Sequence, residues 1–392
     1  MIKPETSDMV KPETSDMTLT HLPETTSEDF MVTALINSEE DLGLVLLFSH
    51  PLFRAAVWVY KITVVVILVL GVFGNTMTLI LQRRVGRGSD SGMSVFISSL
   101  AVSDLAMLCY LGVSLYLYSY EIDLTNIHEM FCRTIYWLMY VIAQTSSWIL
   151  VAMTLQRAAS ILWPHRVNSD WTARKAKITV LVIVVASVIL NFHIMYGHSL
   201  QSVPGGQRIC LVISKDYGEF FDRVWPSVAI VLSSFAPFVL LISANVVLVK
   251  RVRQAMKEAR QTLAAGSTDQ LKVRQQKTFS MTLTLVCVSV AFLVLTSPLC
   301  LFSVVRLTGV HAVSNNIDVN QAAGDYLAEA IGNVLALANN AINFYIYILT
   351  GSRYRAALAD LCGCRHAHKE RTMSMTMSTA VTRTSDVSTT HP

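Results

Sequence analysis

The sequence predicts an all-α membrane protein: a seven-transmembrane helix bundle with a short amphipathic helix after the seventh span. Three observations carry this expectation. Hydrophobic residues make up 53% of the chain and charged residues only 15%, against about 25% charged in a typical soluble domain. The mean hydropathy is +0.48. Charge is also unevenly placed, because long runs almost free of it alternate with short segments crowded with Lys and Arg, as in a chain that crosses a bilayer repeatedly.

The elements follow in order. Residues 1–54 read as a disordered extracellular tail, polar and low in aromatics. Lys-Pro-Glu-Thr-Ser-Asp-Met stands at 3–9 and again at 11–17, too few copies and too polar to stack as a repeat fold. Residues 1–40 show no basic start followed by an apolar core, so the first span is expected to act as the insertion signal. The run Leu42–Phe48 is too short to cross. Spans are expected near 56–82, 93–118, 131–161, 175–198, 222–250, 276–306 and 325–350, within a bundle running 55–351. Each exceeds the roughly 20 residues needed for a hydrocarbon core of about 30 Å. Each must be helical, since lipid offers no partner to a backbone amide. Residues 352–364 then form a cytoplasmic amphipathic stretch with Arg353 and Arg355 on its polar side. Residues 365–392 form a Ser/Thr-rich disordered tail.

Orientation comes from the loops. Arg83, Arg84 and Arg87 follow span one. Arg166, Arg174, Lys175 and Lys177 lie between spans three and four. Lys250, Arg251, Arg253, Lys257, Arg260, Lys272, Arg274 and Lys277 lie between five and six. These fifteen positive charges face only three in the opposite loops, Arg208, Lys215 and Arg306. The positive-inside bias makes the first set cytoplasmic, with the N-terminus outside and the C-terminus in the cytosol. Cys132 and Cys210 then both face the oxidising side, which favours a disulfide. Cys362 and Cys364 sit beside the amphipathic stretch, where palmitoylation is the functional reading and two free thiols the plainer one. The formal net charge of +4 comes with no nucleic-acid motif, and no nucleophile–base pair or metal-ligand set suggests an enzyme.

Ionisable groups within spans are costly and therefore candidates for function. Asp104 lies mid-span, with Asn75, Ser146, Asn339, Asn340 and Asn343 at similar depth. One carboxylate among amide and hydroxyl oxygens suits a small hard cation such as sodium, while a neutral Asp that joins helices by hydrogen bonds explains it equally well. Arg157, at the inner end of span three, is always charged and offers five donors, although a snorkelling interfacial Arg would look the same. Pro164, Pro237 and Pro298 fall at or inside helices, where a missing amide hydrogen bends the chain.

Over residues 55–365 these markers resemble the rhodopsin-like G-protein-coupled receptors. They are Asn75 after Gly74, Asp104 in Ala-Val-Ser-Asp-Leu-Ala, the Cys132/Cys210 pair, Arg157 followed by Trp163-Pro164, Pro237, Phe292 before Pro298, and Asn343-Phe344-Tyr345-Ile346-Tyr347. Phe344 in place of the family's usual Pro, together with Asn245, resembles invertebrate FMRFamide-type neuropeptide receptors. The resemblance implies a sodium pocket of Asp104, Ser146, Asn339 and Asn343, with Asp104 as the charged metal ligand. It implies that Arg157 meets the G protein when the sixth helix swings out, with Tyr347 rotating inward. Gln156, Pro164, Pro298 and Asn343 complete the switch.

Several positions depart from that pattern. Gln156 replaces the acid usually before the arginine, and Ala158 the tyrosine after it. Thr278 supplies no carboxylate at the base of span six. Thr296 replaces the aromatic switch, and Val184 stands where span four usually carries Trp. Gln156 cannot hold Arg157 in an ion pair, so raised basal signalling is the expectation drawn from sequence.

The ligand is bounded by what is missing. Met139 stands where amine receptors carry Asp, and Leu337 where opsins carry the retinal lysine. Tyr118, Tyr136, Tyr140, Gln144, Trp225, Arg306, Tyr326, Glu329 and Asn333 are the candidate pocket, aromatic walls with few charges that fit a peptide end. Each aromatic could equally be interfacial packing. Glu329 or Asp325 could pair with a ligand Arg. The family further implies a heterotrimeric G protein, receptor kinases and arrestin at the tail, and a plasma-membrane lipid setting. A transporter is the rival class, but no half-repeat is visible and Asp104 is the one clear midplane charge. A receptor-like protein that binds without signalling is the other.

Overall fold

The computed structural model describes residues 39–85, 92–163, 172–203, 206–263, 269–308 and 318–363. The N-terminal repeat, Pro164, Cys364 and the Ser/Thr tail lie outside them. Six helical segments are long and apolar enough to cross a membrane, and α12 with α13, bent 93° at their junction, gives a seventh. The chain is a multi-pass membrane protein.

The first span is α2 (Pro51–Val85), preceded by α1 (Glu39–Ser49). A helix therefore occupies part of the stretch expected to be a disordered tail. Its cause is the apolar run Leu42–Phe48, too short to span but long enough to pack: Phe48 meets Phe53 edge-on at 5.2 Å, and Phe53 stacks on Tyr326 at 4.5 Å. Span two is α3 (Gly92–Met107), a π turn (Leu108–Gly112) and α4 (Val113–Tyr118). Span three is α5 (Glu129–Leu162), started by His128, whose ring accepts from the Met130 amide at 3.1 Å. Span four is α6 (Ala173–Asn191), continued by α7 (His193–Gly197).

An outer hairpin of β1 (His198–Ser202) and β2 (Arg208–Val212) follows, antiparallel with Leu200 opposite Cys210. It is tied to the head of α5 three times. Cys210 is bonded to Cys132 with Cα atoms 5.4 Å apart. The Leu200 amide donates to Glu129 Oε2 at 2.7 Å, and the Cys210 amide to Asn126 Oδ1 at 2.8 Å.

Span five starts earlier than expected, at α8 (Lys215–Glu219), and continues through α9 (Trp225–Ile230) into α10 (Ala236–Leu263). Two π turns, Phe220–Val224 and Val231–Phe235, interrupt it. Each sits just before a proline, Pro226 and Pro237. A proline has no amide to donate and its ring pushes on the carbonyl four residues back, so the preceding turn widens. Span six is α11 (Asp269–Leu307), with Pro298 inside it. Span seven is α12 (Val319–Thr350), capped by the Asp318 carboxylate, and α13 (Ser352–Leu361) follows the bend.

In lipid the helices gain little from apolar burial as such, so close packing and buried polar contacts hold the bundle. Glycines on α2 make one close approach. A Cβ added at Gly71 would stand 2.5 Å from Leu108 Cδ1 and 3.0 Å from Ala341 Cβ, and one at Gly74 would stand 3.0 Å from Phe344 Cβ. Leu108 can change rotamer, but the Cβ atoms of Ala341 and Phe344 are fixed to the α12 backbone. Gly71→Val is expected to lower stability by about 1–3 kcal/mol, the usual cost of overpacking. Thermal melting of the purified protein in detergent checks this, with Gly43→Val, where an added Cβ meets nothing within 4 Å, as the neutral comparison.

Candidate functional site

The outer half of the bundle gathers most of the candidate pocket into two groups. The first lies between α5, α7 and α9. Tyr140 meets Trp225 edge-on at 5.9 Å, and Tyr136 stacks on His198 at 5.2 Å. Gln144, one turn below Tyr140, is buried. Its Oε1 accepts from Asn191 Nδ2 at 2.8 Å, while the same nitrogen reaches the Ser187 carbonyl at 2.7 Å. The carbonyl can only accept, so the amide orientations are fixed: Gln144 Nε2 and Asn191 Oδ1 are the atoms left over. Among the described residues neither has a partner, nor do Trp225 Nε1 and His193 Nε2.

Sequence reading missed the residues that complete this wall. His193 stands 4.2 Å from the Trp225 ring and its Nδ1 is 3.0 Å from Tyr217 Oη. Phe221 packs edge-on against His198 at 4.8 Å. Burial pushes the His198 imidazole below its ordinary range, partly opposed by the Ile194 carbonyl that its Nδ1 faces. The available signal was the density of His, Tyr and Phe in 192–221, but only the hairpin's path shows that they converge.

The second group joins α2, α11 and α12. Tyr326 is stacked under Phe53, with Tyr118 within hydrogen-bonding reach. Asn333 Nδ2 donates to Tyr60 Oη at 3.1 Å. Arg306 Nη1 lies 3.4 Å from Glu329 Oε2, with both side chains substantially exposed. Glu329 therefore already has a cation within the chain. Any ligand Arg must compete with Arg306.

At the middle of the bundle Asp104 is buried on α3. Asn343 Nδ2 donates to its Oδ2 at 2.8 Å. Ser146 is in hydrogen-bonding reach of the same carboxyl and lies 2.7 Å from Ser103 Oγ. Asn75 Nδ2 donates to the Asn340 carbonyl at 2.8 Å and to that of Gly71 at 3.0 Å. The structure thus brings Asp104, Ser146 and Asn343 together. Asn339 is half-buried and makes no side-chain hydrogen bond to another described residue.

At the inner end Arg157 Nε donates to Thr282 Oγ1 on α11 at 3.4 Å. Gln156 is buried. Tyr347 is buried and stacks on Tyr354 of α13 with centroids 5.1 Å apart. Tyr354 Oη accepts from Gln82 at 2.5 Å. Phe292, six residues before Pro298, packs edge-on on Phe238 at 5.7 Å, and Thr296 bonds only back to the Phe292 carbonyl, at 2.6 Å. Asn245 is buried, with neither amide atom partnered among the described residues. Cys362 is exposed after α13.

Residues 74–347 match the profile of the 7 transmembrane receptor (rhodopsin family). An FMRFamide peptide receptor of Caenorhabditis elegans is 28% identical over 134 residues, 33% of this chain and 31% of that protein. Melanopsin of Rutilus rutilus is 25% identical over 314 residues, 79% of this chain and 58% of its own length. An FMRFamide receptor of Drosophila melanogaster is 22% identical over 315 residues, 77% of this chain and 53% of its own. The matched regions thus cover less than two thirds of each of these relatives.

Proposed function

Because the chain belongs to the rhodopsin family of seven-transmembrane receptors, whose members are typically non-enzymatic signal receptors, we propose that it binds an extracellular neuropeptide and activates a heterotrimeric G protein. The observation that carries the peptide reading is the chemistry of the outer end: aromatic walls around buried amide and indole groups left without a partner among the described residues, with an exposed ion pair, Arg306–Glu329, at the rim. A peptide offers what such a wall lacks, namely backbone donors and acceptors and an aromatic or cationic side chain. Two of the relatives are FMRFamide receptors by name. Leu337 has no amine with which to form a Schiff base, where opsins of this family carry the retinal lysine. Met139 has no carboxylate for an amine ligand.

On this reading the N-terminus faces outward at the plasma membrane, as the loop charges require. Arg157, Gln156, Pro164, Pro298, Asn343 and Tyr347 form the coupling switch. Cys362 and Cys364 anchor the end of α13 to lipid by palmitoylation, and the tail beyond serves receptor kinases and arrestin. Agonist shifts the population between inactive and active states by its differential affinity for them.

A sodium ion is the proposed allosteric ligand of the Asp104 site. The residues present fit it: one buried carboxylate and the hydroxyls of Ser146 and Ser103 supply hard oxygen donors with a single charge. Asn343 turns its amide nitrogen to Asp104, so its own oxygen is not in that set. Replacing choline chloride by sodium chloride should raise the melting temperature of the native protein. Asp104→Asn should abolish that shift, and a shift surviving the substitution would remove the ion from this site.

A panel of amidated neuropeptides applied to cells expressing the chain with a promiscuous G protein tests the main reading. Agonist-stimulated nucleotide exchange supports it, and saturable binding with no exchange would identify a receptor that does not signal. The rim pair gives a sharper outcome. Glu329→Gln should weaken an Arg-containing agonist about 10-fold more than its Arg-free analogue, or about 1.4 kcal/mol. Arg306→Gln, which removes the competing cation, should strengthen the Arg-containing agonist. Equal changes for both analogues would dismiss the pairing.

A further inference from the structure

The bend between α12 and α13 exposes two backbone groups. Thr350 is the last residue of α12, so its carbonyl has no partner further along that helix. Ser352 opens α13, so its amide has none behind it. One hydroxyl from a different span fills both positions. Ser280 Oγ, on the inner part of α11, donates to the Thr350 carbonyl at 2.9 Å and accepts from the Ser352 amide at 3.0 Å. Only a group that both donates and accepts can do this, and a Ser hydroxyl does. One turn further along α11, Thr284 Oγ1 lies 2.8 Å from Thr350 Oγ1. On the same segment Thr282 accepts from Arg157 of α5. Thr282 and Thr284 are both buried.

We propose that Ser280 and Thr284 latch the inner end of α11 to the α12–α13 corner, so that neutral hydroxyl contacts hold the inactive state of this chain. The inference rests on the signalling reading above, in which the inner ends of α5 and α11 separate on activation. Separation would strip the Thr350 carbonyl and the Ser352 amide, both part-buried, of their partner. Each lost contact weighs against the separated state by about the net worth of a hydrogen bond. The latch therefore replaces the expectation of raised basal signalling with one of low basal output that depends on these hydroxyls. It also gives the 93° bend a role, because a continuous helix would present neither group to Ser280.

The test uses the full chain in lipid nanodiscs without ligand. Nitroxides are attached through a ketone-bearing amino acid placed at Trp163 on the inner end of α5 and at Phe279 on α11, both exposed. Pulsed electron resonance then reads their distance distribution. Thr350→Val should shift the population toward longer distances by about fivefold, the weight of one neutral hydrogen bond, and Ser280→Ala, which removes two, should shift it further. Ser280→Thr keeps the hydroxyl and should behave as native. Ser303→Ala removes a hydroxyl near the outer end of the same helix, one that bonds only within it, and should change nothing. Native distances in both Ser280→Ala and Thr350→Val, or an equal shift in Ser303→Ala, would overturn the latch. The readout needs no G protein. A distance shift without any nucleotide exchange would leave the latch standing and contradict the signalling function instead.

Discussion

Everything in the bundle depends on a hydrogen bond 2.8 Å long, from Asn343 on α12 to the buried carboxyl of Asp104 on α3. Hydrocarbon cannot solvate either group, so each must find its partner within the protein. That requirement sets the rotation of α12 about its axis. With Asn343 turned to Asp104, Asn333 one end of the helix reaches Tyr60, the Asn340 carbonyl meets Asn75, and the other end meets Ser280. The seventh span is thus joined to the first, second and sixth by polar contacts at successive depths. Glycines 71 and 74 let α2 approach closely enough for the first of these to form.

On the proposed signalling function, this arrangement gives a chain lacking several of the family's charged or aromatic switch groups a way to hold two states. A charge pair is strong but long-ranged, whereas a hydroxyl contact is worth less and fails within an ångström or so. Arg157 meets the hydroxyl of Thr282, and Ser280 bridges the corner of α12 and α13. Contacts of this kind are individually small, so a ligand at the outer end need supply only a few kcal/mol of differential affinity to change their occupancy. Ligand chemistry at the outer end follows the same rule. Orphaned amide and indole groups there reward a partner with its own donors and acceptors.

The architecture was legible in sequence because its causes are local. Span length, apolar composition and the Lys/Arg bias each follow from the bilayer, and Asp104 and Arg157 stand out because they are costly there. Pairings carried by recurrent markers, such as Cys132 with Cys210, were legible too. What could not be read depends on where helices stop and bend. The π turns before Pro226 and Pro237 start the fifth span at Lys215. The run Leu42–Phe48 makes a helix in a segment that composition marks as a tail. Arg306 takes Glu329 because α11 and α12 bring them together across 23 residues. Ser280, Thr284 and Thr350 are unremarkable hydroxyls in a list of many, and only the bend shows which backbone atoms they meet. Asn339 illustrates the converse, since its depth is right but among the described residues its amide makes no hydrogen bond to Asp104.

The most direct test of this account is a reciprocal exchange of its central pair, read as the melting temperature of the purified protein in one fixed buffer. Asp104→Asn alone and Asn343→Asp alone should each lower it, because each leaves a buried group mismatched. The double substitution rebuilds an amide–carboxyl contact between the same two helices and should recover most of the loss. Additive losses in the double variant would mean that the two side chains do not act on each other, and would contradict the claim that their hydrogen bond sets the register of the bundle.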